Sequence, residues 1–146
     1  MCDLSDENLL KYYHCYKQLV RLHQEFEFGN NPPIPEVFSE KLCRSICNLL
    51  PSHTRDYDAL NNNEKIEIKA TGTEKGTTSI NLTSEFDTVY WLVFDLDNDN
   101  LNITIIPRKN LPVKNEKRSN ITLSKYSSGC KKRTFHLTTN TISEIN

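Results

Sequence analysis

Along the first third of the chain, apolar residues recur at three- and four-residue steps, the spacing of one helix face. Leu9, Leu10, Tyr13, Tyr16, Leu19, Val20, His23 and Phe26 mark such a face and predict a helix over about Asp6 to Glu27. Ser5 opens it, and Asp6 and Glu7 sit at the positive end of the helix dipole. The run Phe28-Gly29-Asn30-Asn31-Pro32-Pro33-Ile34-Pro35 ends it. A second helix is expected from Pro35 or Glu36 to Leu50, with Phe38, Leu42, Cys43, Ile46, Leu49 and Leu50 on its apolar face and Pro51 as its stop. Glu40 lies off that stripe, one turn before Arg44, where an exposed i,i+4 ion pair is worth only ~0.3–0.5 kcal/mol.

From about residue 55 the period falls to two and turn residues become frequent. Asp56 to Leu60 reads as a short strand, Asn61-Asn62-Asn63 as a turn, and Lys65 to Thr71 as a second strand. Thr71 to Gly76 reads as a loop, followed by a half-buried strand over Thr78 to Thr83. Val89 to Leu96 is the most apolar run and predicts a central strand buried on both faces, with Tyr90 and Trp91 in the core. Asp97-Asn98-Asp99-Asn100 turns it into Leu101 to Pro107, and Ile121 to Leu123 and Thr134 to Leu137 are further short strand candidates. The expected architecture is α+β in one domain of 146 residues: a helical part over about 1–51, a sheet over about 52–109 and a basic part over about 110–146.

Composition narrows the function classes. No apolar run approaches the ~20 residues that span a bilayer. The start, Met1-Cys2-Asp3-Leu4-Ser5-Asp6, lacks the basic-then-apolar order of a signal peptide, so a cytoplasmic protein without membrane contact is expected. The cysteines, Cys2, Cys15, Cys43, Cys47 and Cys130, are odd in number and have no CxxC spacing. Cys43 and Cys47 read as small apolar residues on a buried helix stripe, and the histidines form no zinc-binding pattern. Net charge is only −1, yet residues 107–136 carry nine basic side chains and one acid, Glu116. Those nine are Arg108, Lys109, Lys114, Lys117, Arg118, Lys125, Lys131, Lys132 and Arg133, the asymmetry of a surface that meets a polyanion.

The candidate chemistry lies on the strand Lys65-Ile66-Glu67-Ile68-Lys69-Ala70-Thr71. Alternation sends Ile66, Ile68 and Ala70 to the core and Glu67, Lys69 and Thr71 to the other face. The Asn-rich turn folds Asp58 back towards Glu67. Two converging carboxylates suit a hard cation such as magnesium, which lowers the pKa of a bound water. A lysine beside them can position that water and meet charge growing on a phosphate.

Asp58-Ala59-Leu60, the turn, and Ile66-Glu67-Ile68-Lys69-Ala70-Thr71 resemble the PD-(D/E)xK nuclease superfamily, and within it small type II restriction endonucleases. The preceding helix with Ser39-Glu40-Lys41-Leu42, the strand Tyr90 to Asp97 and the exit Ile105-Ile106-Pro107-Arg108 extend the likeness over about residues 36–109. Where the family has proline, this chain has Tyr57. The resemblance implies a restriction-endonuclease-like fold with a mixed central sheet flanked by helices. It implies Asp58, Glu67, the Ile68 carbonyl and Glu40 as ligands of Mg2+, with Mn2+ as a substitute, and Lys69 as the catalytic lysine. The activity implied is cleavage of double-stranded DNA at a specific site by a homodimer, alongside a cognate DNA methyltransferase. Thr71, Lys75, Thr78, Ser79, Arg108, Lys109, Lys131, Lys132 and Arg133 are the candidate DNA contacts. A structure-specific or repair nuclease of the same superfamily and a non-catalytic nucleic-acid-binding module are the alternatives.

Overall fold

The computed structural model describes residues 4–113 and 118–146, so Lys114, Glu116 and Lys117 of the basic run lie outside the described residues. Helix α1 (Asp6–Glu25) begins where Ser5, in an extended conformation, accepts the Asn8 N–H on its side chain at 3.2 Å. It stops slightly before the expected end because Glu27 takes a left-handed φ of 56° and the Phe28 N–H donates to the His23 carbonyl. Helix α2 (Glu36–Ile46) is closed the same way, with Asn48 at φ 54° and hydrogen bonds from Asn48 N–H to Ser45 O and from Leu49 N–H to Arg44 O. The stop is therefore Asn48 and not Pro51. Leu50–Pro51 instead forms a short strand, β1.

Among the described residues, eight further strands follow: β2 (Ala59–Asn61), β3 (Glu64–Thr71), β4 (Thr78–Ile80), β5 (Thr88–Asp95), β6 (Asn100–Pro107), β7 (Ser119–Ile121), β8 (Lys131–Leu137) and β9 (Ile142–Ile145). Seven of the strands make one mixed sheet in the order β1-β2-β3-β5-β6-β8-β9, while β4 and β7 pair separately. Among the described residues, only β3 and β5 run parallel; their crossover, residues 72–87, carries β4. The strand expected at Asp56 starts only at Ala59, and the one expected at Ile121–Leu123 shifts to Ser119–Ile121, since Leu123 opens a 3-10 turn.

Each face of the sheet has its own core. Leu9, Leu10 and Tyr13 of α1 and Phe38, Leu42 and Cys43 of α2 pack on Ile66, Ile68, Tyr90, Leu92, Leu101, Ile103, Phe135 and Leu137. On the opposite face Val89, Trp91 and Ile106 pack against Ile80, Leu82, Leu111, Ile121 and Leu123. The central strand β5 is thus buried on both faces, as its unbroken apolar run requires. Each fully buried Leu or Ile, such as Leu92 and Ile103, contributes roughly 1.5–3 kcal/mol relative to exposure. The expectation of a sheet flanked by helices needs correction. Both helices lie on one face, and the β4–β7 ribbon with its turns covers the other.

Candidate active site

Strand β2 pairs with β3 only from Ala59↔Ile66 to Asn61↔Glu64, through a tight turn in which Asn62 takes a φ of 56°. Beyond Ile66 the edge of β3 lacks this partner, and Asp58 takes over. Its N–H donates to the Ile66 carbonyl at 2.8 Å, and its Oδ2 accepts the Ile68 N–H at 2.7 Å. Strand backbone groups alternate in direction, so the Ile68 carbonyl faces the same edge. The short β2 thereby leaves Asp58 and the Ile68 carbonyl together at an open rim.

Glu67 and Lys69 stand on the face of β3 away from the helices, beside Val89 and Trp91 of β5. Lys69 Nζ lies 3.9 Å from Glu67 Oε1, and the two side chains are only 13% and 14% exposed. Glu40 reaches the group from α2. Burial, then the charge of Asp58 and a hydrogen bond with it, push the Glu40 carboxyl up to about 7, against the opposing charge of Arg44. Burial, then a hydrogen bond with Asp58 and its charge, push Glu67 up to about 8, although Lys69 opposes this. Glu40 and Glu67 thus keep protons that ordinary carboxyls would have lost.

A divalent cation can replace those protons, and the donor set has the hard-oxygen chemistry that magnesium takes. Among the described residues, no three His, Cys, Asp or Glu side chains converge closely enough to hold a metal ion by themselves. Magnesium does not need three. It uses one or two protein carboxylates and fills its remaining positions with waters and substrate phosphate. The adjoining cleft, lined by Ile34, Glu36, Ser39, Ile68, Lys69, Ala70 and Thr78, holds only about 30 Å³.

The candidate DNA contacts separate into groups. Thr71 is buried, accepting the Trp91 indole N–H at 2.9 Å and donating to the Thr73 carbonyl at 2.7 Å, so it is not open to DNA. Arg108 donates to the Leu82 and Ser84 carbonyls and stacks on Phe86, which makes it a strut of the second core. Arg133 forms a two-pronged ion pair with Glu144, at 2.8 and 2.9 Å, that ties β8 to β9. Thr78 lines the small cleft beside Lys69, and Lys75 and Ser79 are exposed nearby in sequence, in the crossover. Lys109, Lys131 and Lys132 are also exposed. Lys131 and Lys132 are strand neighbours and point to opposite faces, so they cannot line one groove.

Two features escaped the sequence reading. Glu36, one turn before Glu40, adds its charge to the acid cluster and lines the small cleft. The i,i+4 spacing of the two acids on a helix was the available signal. A second cleft, of about 240 Å³, opens over the sheet face between Trp91, Val93, Asn102, Thr104, Lys132 and Thr134, walled by Glu74, Ser124 and Ser127. Its residues come from three strands and two loops, and no local pattern joins them.

The family model described as Bsp6I restriction endonuclease matches residues 3–144. No curated protein and no solved structure matches the chain.

Proposed function

This chain belongs to the Bsp6I restriction endonuclease family, and from that premise we propose that it is a magnesium-dependent enzyme of the PD-(D/E)xK type with a restriction-endonuclease-like fold. Its substrate is double-stranded DNA, cut at a specific sequence by hydrolysis of a phosphodiester bond in each strand. A cognate methyltransferase marking the same sequence would protect host DNA. One observation carries the assignment of the site: Asp58, Glu67, Glu40 and the Ile68 carbonyl meet where β2 stops short, with Lys69 beside Glu67.

In this reading Asp58, Glu67 and the Ile68 carbonyl would hold the cation directly, and Glu40 would join them through a metal-bound water. Magnesium, when bound, acidifies a coordinated water and offsets charge on the phosphate. Asp58 is fixed through Oδ2 to the Ile68 N–H, and its hydrogen bonds with Glu40 and Glu67 are the contacts that a cation would replace. Lys69 presents a nearly buried ammonium to the face where phosphate charge grows, and partial exclusion of water strengthens that interaction. Because one site cuts one strand, double-strand cleavage at a two-fold symmetric sequence calls for two copies.

The test is cleavage of unmethylated plasmid and phage DNA with magnesium, beside EDTA and Lys69→Ala reactions. Discrete fragments lost in both controls are expected, and their ends identify the site. Nicking or random degradation lost in the same controls would replace sequence specificity with recognition of DNA shape. Cleavage that survives Lys69→Ala would remove the site assigned here.

A further inference from the structure

Helix α1 carries more apolar residues than the core uses. Leu9, Leu10 and Tyr13 are buried against the sheet and Val20 is buried as well, but Leu19, Leu22 and Phe26 are exposed, as are Cys15 and the half-exposed Tyr12, whose ring also touches Phe38 of α2. Residues 12, 15, 19, 22 and 26 follow steps of three, four, three and four, the repeat of a coiled-coil seam. At 100° per residue this second stripe lies well away from the buried one. Phe26 and Phe28, 56% and 67% exposed with ring centroids 5.7 Å apart, extend it past the helix end. The face is long, contiguous and apolar, larger than scattered surface residues would produce.

We propose that α1 pairs with α1 of a second copy of this chain, antiparallel and two-fold symmetric. A helix with its own heptad seam is the partner that such a stripe fits. The flanking charges choose the direction. In the antiparallel register that layers Tyr12 on Leu22 and Cys15 on Leu19, Lys11 of each copy lies beside Glu25 of the other, twice by symmetry. Both residues are exposed, and Lys11 otherwise makes only a loose ion pair with Glu7 at 3.6 Å. A parallel pair would set Lys11 against Tyr16 and Gln18 against His23, with no ion pair gained. This inference names the surface for the second copy invoked above, yet it stands on the helix alone, and its test reads mass rather than cleavage.

Sedimentation of the full-length chain decides it. A wild-type dimer in the micromolar range is expected, and Leu19→Asp with Leu22→Asp should leave monomers whose helical circular dichroism is unchanged. Lys11→Glu should weaken the dimer roughly ten-fold, and adding Glu25→Lys should restore it. Orientation is read by oxidation: Leu19→Cys should give a covalent dimer through Cys15 of the other copy, while the wild-type Cys15 should not couple to itself. A monomeric wild-type chain, or a folded double-aspartate variant that still dimerises, would overturn the interface. Efficient coupling of wild-type Cys15 to Cys15 would overturn the antiparallel register.

Discussion

At the scale of single residues, the site is defined by protons that ordinary carboxyls would have lost. With no cation bound, Glu67 at about 8 and Glu40 at about 7 both exceed the ordinary 4.5. Between those limits the folded chain binds more protons than the unfolded one, so its stability falls as pH rises through the window. Thermal unfolding in EDTA should therefore show a melting temperature that declines from mildly acid to mildly alkaline conditions. Magnesium should flatten the decline, and Glu67→Gln should flatten it without magnesium while abolishing cleavage. An identical slope in wild type and Glu67→Gln would refute the crowding of these acids. Lys69→Ala should lower the cleavage rate by roughly 10²–10³-fold with little change in melting temperature, the result of removing one charge-stabilising donor. The proximity of Asp58, Glu67 and Lys69 was legible because strand alternation and one short turn fix their neighbourhood. Thr71 was not legible. Its alternation is correct, but Trp91 one strand away covers it, and that contact spans the sheet.

At the scale of elements, α1 is held to the sheet by polar groups as well as by its apolar face. Tyr13 Oη and Lys17 Nζ both donate to Asp99 Oδ1, at 2.8 and 2.9 Å, and Arg21 pairs with Asp97 at 2.9 Å. Asp99 sits in the turn between β5 and β6, with a φ of 53°. Burial works against its charge, but hydrogen bonds from Lys17 and Tyr13 outweigh this and hold its carboxyl below the usual range. Asp99→Ala strands the Tyr13 hydroxyl beside the core and should cost about 1–3 kcal/mol in urea unfolding. The matching Arg21→Ala change at the exposed pair should cost under about 1 kcal/mol. Equal losses would mean that Asp99 is not the anchor. Helix existence and the central strand were readable from periodicity, whereas the helix ends were not. Glu27 and Asn48 end their helices by taking left-handed backbone, and neither is the glycine or proline that announces a stop. Sequence periodicity also merged the two stripes of α1, placing Leu19 and Phe26 with the core residues although the structure turns them outward.

At the scale of the whole molecule, an acid cluster has to meet a polyanion on a chain of net charge −1. The basic run appeared in the sequence as one patch, but folding disperses it: Arg108 and Arg133 are occupied within the protein, and Lys131 and Lys132 face opposite sides. The positive charge left for DNA is therefore modest. At mildly alkaline pH, where Glu40 and Glu67 lose their protons, repulsion between the acid cluster and the phosphates has to be neutralised locally before a duplex can seat on the rim. Binding should then depend on the cation as much as cutting does. Lys69→Ala protein, whose cleavage should be slow enough to leave the duplex intact over a binding measurement, allows that to be measured. Its affinity should rise several-fold when magnesium replaces EDTA at matched ionic strength, and Glu67→Gln in the same background should bind more tightly in EDTA and respond less to magnesium. Lys132→Ala should weaken binding and lower the salt slope by roughly one unit, the expectation for one phosphate contact. Arg133→Ala should act mainly on unfolding, since its guanidinium serves the β8–β9 edge. Affinity that is indifferent to magnesium in every variant would separate DNA binding from the acid cluster and place the duplex elsewhere on the sheet.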